Sequence, residues 1–393
     1  MNSARHENFI PVRKVELVKA FTKKIPARQR GEFNRFCRIV GSIYHFNYHQ
    51  NLERLKELYV PFDPDAEKYL VQIKSDVPDN TEDKQEKILG EINALLKSGN
   101  YKEIPYSELE KAFKGASPWG IDLIVDFSQY EYYSIYYKGE RRDSLEKKYL
   151  WFKKRYEFDM YDRIFFAFKL KETFTESDTL SFSKDKLYLK LFKNVPGLDL
   201  EMLFPNTNVR ISLFDKGKVI VPLVAGGISS LYKIMLYVLS QGSPMVLWRQ
   251  IGFWSLVGGF FIFALKSFLG YKNTIEKYLK TLTSNLYFQN LDNNSGVLTC
   301  LLDDAEEQEC REILLAYYFL YSEPGVHTQK SLDERIERYF AEELLFECDF
   351  EVDDALRKLK ELGLLKVKGK KLDVAPLKEA CRILDRQWDG YFN

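Results

Sequence analysis

The chain has 393 residues, 45% of them hydrophobic, which is enough for two or three domains. Its 58 Lys and Arg against 57 Asp and Glu leave a formal net charge of +1, which excludes a general electrostatic pull toward nucleic acid or acidic substrates. Five cysteines, Cys37, Cys300, Cys310, Cys348 and Cys381, form no C-x-x-C pair, so neither a disulfide framework nor a cysteine zinc site is indicated, and a reducing compartment fits.

No apolar h-region or Arg/Ser-rich transit segment opens the chain. From Val12 to Tyr59 apolar residues recur at three and four, which predicts amphipathic helices divided at Pro26. Another helix is predicted from about Thr81 to Lys97, with Ser98-Gly99-Asn100 as its stop. Residues 1–116 therefore read as a helical N-terminal domain. After Ser117-Pro118-Trp119-Gly120 the period changes. Aromatic and β-branched runs from Tyr130 to Tyr137, Tyr149 to Phe158, Arg163 to Leu170, Leu187 to Phe192 and Val209 to Phe214 predict a mostly antiparallel α+β domain over 117–218. In this reading the charged stretch from Lys138 to Lys148 is a connection.

Two apolar runs follow, 219–239 and 251–269, around Ser240-Gln241-Gly242-Ser243-Pro244. Each approaches the roughly 20 residues that a hydrocarbon core requires, so 219–270 reads as a transmembrane helical hairpin. The first run is marginal. Its branched aliphatics supply roughly −5 kcal/mol, and Lys233 with several small or polar residues cancels most of that. Small residues four apart, Gly226 with Ser230 and Ser255 with Gly259, are the expected packing seam. Lysines and arginines flank both outer ends, and the intervening turn region holds only Arg249. This places both termini on the cytoplasmic side, or on the matrix or stroma side of an organelle.

Residues 271–323 read as a helical segment and 324–393 as a winged-helix-like module, in the order helix, helix, strand–turn–strand, helix. The fold class expected is thus an α+β membrane protein with a helical N-terminal domain, an antiparallel middle, the hairpin, and a C-terminal helical region ending in that module.

Several stretches resemble the domain of unknown function 3754 family, in its transmembrane protein 143-like form. They are Glu7-Asn8-Phe9-Ile10-Pro11-Val12-Arg13, Tyr137-Lys138-Gly139-Glu140-Arg141, Leu189-Lys190-Leu191-Phe192-Lys193-Asn194-Val195-Pro196, Leu200-Glu201-Met202-Leu203-Phe204-Pro205, Phe288-Gln289-Asn290-Leu291-Asp292-Asn293-Asn294, and Ala305-Glu306-Glu307-Gln308-Glu309 with Ala316-Tyr317-Tyr318. The resemblance implies a membrane protein with a central pair of spans and no established activity. It supplies no catalytic residues.

No stretch carries a nucleophile motif or a phosphate-cradling glycine loop, so no catalytic residue or cofactor is assigned. His45, His49 and Glu53, each four apart, could begin a metal site, though H-E-x-x-H is absent. The acids Asp303, Asp304, Glu306, Glu307, Glu309 and Glu312 could bind a cation, but they also suit a helix's first turn, with Asp303 and Glu306 at capping-box spacing. Arg141, Arg142, Lys147 and Lys148, among aromatics, are candidates for anionic-lipid contact. In the C-terminal module Arg357, Lys358 and Lys360 are expected to be exposed. Because acids balance the bases there, a protein partner is expected ahead of nucleic acid. The expected function is a non-enzymatic integral membrane scaffold or lipid-contacting factor in the bilayer. The alternative is a metal-dependent membrane enzyme using the acids near Asp303.

Overall fold

A computed structural model describes residues 9–66, 81–109, 121–148, 153–171, 182–183, 185–205, 207–211, single positions between 224 and 239, 251–323 and 328–392. The helical periods near the N-terminus give α1 (Lys14–Lys24) and α2 (Arg30–Tyr59), separated by Pro26 and a turn of 3-10 helix, then α3 (Thr81–Ser98). Asn100, left-handed at φ 56°, turns the chain out of α3.

The middle is α+β with an antiparallel sheet. β1 (Lys102–Glu103), β3 (Tyr130–Lys148), β4 (Lys153–Leu170), β5 (Leu187–Pro196) and β7 (Asn290–Asn293) pair antiparallel in the order β1-β3-β4-β5-β7. β2 (Ile121–Val125) pairs separately with β6 (Thr207–Ile211). The charged stretch from Lys138 to Lys148 is strand rather than connection, paired with β4 as far as Lys148 against Lys153. Gly139 sits within it at φ +75°, where a Cβ would come within 2.5 Å of the Asp162 carboxylate, so a side chain cannot be accommodated there.

Alternation sorts β4 and β5 onto two faces. Phe165, Ala167, Leu187, Leu189 and Leu191 meet α3, the C-terminal half of α2 and the N-terminal half of α5 (Ser295–Ser322). Ile164, Phe166, Phe168, Tyr188 and Phe192 meet Leu200, Leu203 and Phe204 on the opposite face. The C-terminal half of α5 lies in another core with α1, α2, α6 (Gln329–Glu343), α7 (Val352–Glu361), the hairpin of β8 (Leu365–Lys368) and β9 (Lys371–Val374), and α8 (Leu377–Gly390). The ends of the chain are joined directly. Arg311 Nη1 donates to the carbonyls of Ile10 (2.7 Å) and Val12 (3.0 Å), Arg35 pairs with Asp385 at 2.6 Å, and Lys24 pairs with Glu343.

The membrane hairpin is not supported, because no helix among the described residues is long and apolar enough to cross a membrane. Most of the first run lies outside the described residues. The second run is the beginning of one continuous helix, α4 (Ile251–Gln289), that continues through Lys266, Lys272, Glu276, Lys277 and Lys280. The same finding overturns the two-span localisation with both termini cytoplasmic. It also overturns the integral membrane scaffold and the membrane-bound enzyme. Of the expected seam, Gly226 faces the Phe263 ring, with 3.6 Å from its would-be Cβ, and Gly259 has no described atom within 4 Å. Ser230 and the side chain of Ser255 lie outside the described residues.

Candidate functional site

Among the described residues, one concavity gathers several charged and polar side chains. It is a cleft of about 1060 Å³ between α1 and α2, closed at one end by Trp388 of α8 and floored by Glu306 of α5. Its construction follows from helical spacing. Asn34, Cys37, Arg38, Gly41, Ser42, His45, Phe46 and His49 recur at intervals of three and four along one face of α2, while Lys14, Val15, Val18 and Lys19 share one face of α1. A Cβ at Gly41 would stand 3.9 Å from the Lys14 ammonium, an ordinary contact, so a longer side chain there would project into the cleft.

The cleft has an apolar wall and a charged rim. Phe46 meets Trp388 edge to face at 5.7 Å and packs on Tyr391 and Phe392. Glu306, with 10% of its side chain exposed, is shared by His45 Nδ1 at 3.0 Å and the Lys14 ammonium at 3.5 Å. Lys19 and Arg38 line the same space, and neither has a carboxylate partner among the described residues. Burial pushes the Cys37 thiol far above the ordinary thiol range, so it is no thiolate nucleophile.

The fold thus brings together two groups of residues that the sequence kept apart, His45 and Glu306, 261 positions distant. His49 stacks on His45 at 6.2 Å, and Glu53 points to Lys56 at 4.0 Å. Among the described residues no three His, Cys, Asp or Glu side chains group so as to hold a metal. The acidic run is not a first turn. α5 begins at Ser295, so Asp303 and Asp304 lie two turns inside it and the capping-box reading fails. Asp304 instead accepts from Tyr101 (2.7 Å) and pairs with Arg163. Burial, followed by the charges of Glu306 and Asp304, raises the Asp303 carboxyl.

Arg141 is held by Asp162 at 2.6 Å and by Asn194 at 3.1 Å, and Arg142 faces Asp159 at 3.8 Å, so both bases are matched along the hairpin. The side chains of Lys147 and Lys148 lie outside the described residues. Lys358, expected to be exposed, is buried against α5 between Glu312 (2.5 Å), Asp354 (2.6 Å) and Glu309 (3.3 Å). Arg357 is engaged by Asp354 and Glu361. Of the three α7 bases expected to be exposed, Arg357 and Lys360 are, and Lys358 is not.

Most of β3, with β4, β5, β7, α4 and the start of α5, falls within the span recognised by comparison with known proteins, since residues 134–296 match the family described as protein of unknown function (DUF3754). Residues 134–296 are a DUF3754 domain. The narrower likeness to transmembrane protein 143 is not part of that match. No solved structure matches the chain. Every residue lining the cleft lies outside the DUF3754 domain, on the helices that flank it in sequence.

Proposed function

We propose that the protein is a binding protein whose cleft takes a small organic anion with an apolar or aromatic body. The observation that carries this reading is the pairing of two uncompensated rim cations, Lys19 and Arg38, with a wall built from Val15, Val18, Phe46 and Trp388. Glu306 does not cancel that charge, because Lys14 and His45 already share it. The volume lies at the upper end of small-molecule sites, and a few placed polar groups in an apolar concavity are what such sites use to orient a ligand. An anionic group would meet Arg38 and Lys19, while an apolar body would lie against Phe46 and Trp388.

The test uses the full chain and the fluorescent probe anilinonaphthalene sulfonate, which joins an anion to an aromatic body. Changing Arg38→Gln together with Lys19→Gln, both exposed, is expected to weaken probe binding at least about tenfold, the loss of one or two charge-assisted contacts. Gly41→Leu, which fills the floor, is expected to remove the same fraction of the signal. Binding that neither change affects would show that the probe sits elsewhere and that the cleft is not the site.

A further inference from the structure

Outside the cleft, one buried amine has no counterpart in the reading above. Lys138 of β3 is 7% exposed, and its ammonium lies over the rings of Tyr101, at 5.4 Å to the centroid, and Phe9, at 5.7 Å. Among the described residues it has neither a hydrogen-bond acceptor nor an ion-pair partner. Its cross-strand neighbour on β4 is another cation, since Lys138 and Arg163 are directly opposed in the ladder. Like charges in that register repel.

The charges around the amine do not suit an ammonium. Asp304 is already engaged by Arg163 and by the Tyr101 hydroxyl. Glu307 lies 3.9 Å from Arg311, whose guanidinium is bound to the carbonyls of Ile10 and Val12. Desolvation lowers the Lys138 amine to about 8, with Asp304 and Glu307 opposing the shift and Arg311 and Arg163 adding to it. About a tenth is then neutral and nucleophilic at pH 7.

We propose that Lys138 is a carbon dioxide acceptor: its caged, unpartnered amine, set directly opposite Arg163, takes up the gas as a carbamate whose anion pairs with that guanidinium. The nitrogen lone pair attacks the carbon of carbon dioxide and an N–C bond forms. One C=O π pair moves onto oxygen, and the nitrogen loses a proton to water. The sum is amine plus carbon dioxide giving carbamate plus a proton, with no oxidant or reductant. Arg163 and Arg311, which add to the lowering of the amine, favour the anion that replaces it, whereas desolvation opposes either charge. Arg163 is engaged by Asp304 and by the Tyr101 hydroxyl, and the other N–H groups of its five-donor fork are donors for the new oxygens.

The experiment equilibrates the full chain with carbon-13-labelled bicarbonate at neutral pH, traps carbamates with a trialkyloxonium salt, and maps the alkylated peptides by mass spectrometry. The expected result is a labelled adduct on Lys138 at higher occupancy than on exposed lysines such as Lys19 and Lys330. Arg163→Gln is expected to lower that occupancy about tenfold, the loss of one charge-assisted contact. Asp304→Asn, which releases Arg163 from its carboxylate, is expected to raise it, and this variant keeps the test decisive if Arg163→Gln does not fold. No adduct on Lys138, equal labelling of all lysines, undiminished labelling in Arg163→Gln, or a fall in Asp304→Asn would each overturn the proposal.

Discussion

Burying an ammonium costs several kcal/mol unless its partners are close and numerous, and Lys358 meets that condition with three carboxylates. Burial opposes its charge, but Glu312 and Glu309 outweigh burial and hold the lysine above its ordinary value. Lys358→Met should therefore lower stability by about 3–5 kcal/mol, because Glu312 and Glu309 remain buried without their cation. Thermal denaturation checks this, and adding Glu312→Leu should recover part of the loss, since the two sites are coupled. Asp333 presents the opposite case. One of its carboxylate oxygens is buried without a hydrogen-bond partner among the described residues. Desolvation, then Glu337, Asp349, Asp353 and Glu334, raise its carboxyl to about 6. A carboxyl with a raised folded value binds its proton more tightly in the native state than in the unfolded one, so stability falls as pH rises from about 4 to about 6. Asp333→Asn should then raise the Tm at pH 8, and that gain should shrink toward zero near pH 4. Neither residue was legible in the sequence. A long charged side chain that folds inward has no local pattern to distinguish it from one that points to solvent, and Lys358 sits among the bases of α7 that were expected to be exposed.

Elements were legible where their period was unmixed. α2, α3, α7 and the β8–β9 hairpin show apolar residues at helical or alternating spacing with clear stops, and Gly363 and Gly369 at positive φ mark two of the turns. The distal part of the β3–β4 ribbon was missed because its residues alternate charge with charge, as in Glu140, Arg141, Arg142 and Asp143, leaving no apolar face to read. The joining of two expected segments into α4 was missed for a related reason. Hydropathy falls after Leu269 while helix propensity does not, so a boundary was drawn where only the side chains changed. α3 offers a test of how far intrinsic propensity still matters in a packed helix. Gly90 lies in its interior, and nothing lies within 4 Å of where its Cβ would stand. Gly90→Ala should stabilise the protein by about 0.5–1 kcal/mol, read from the denaturation midpoint.

The order of the C-terminal helices and strands could be read from the sequence, but the cores could not, because they are built from distant parts of the chain. The cleft needs residues near positions 14–49 from one end, Glu306, and Trp388 from the other, and no local window contains that set. α5 is the reason they meet, since its first half belongs to the core with the sheet and its second half to the core that joins both ends of the chain. This arrangement affects how the protein is made. Ile10 is held by Arg311, 301 residues later. At roughly 5–20 residues per second, a ribosome reaches Arg311 on the order of 15–60 s after Ile10 has been added. Throughout that interval the apolar faces of α1 and α2, with Phe21, Phe33 and Phe36 on them, have emerged without the helix that buries them. The nascent chain therefore carries an exposed N-terminal surface for most of its synthesis, until α5 arrives to cover it.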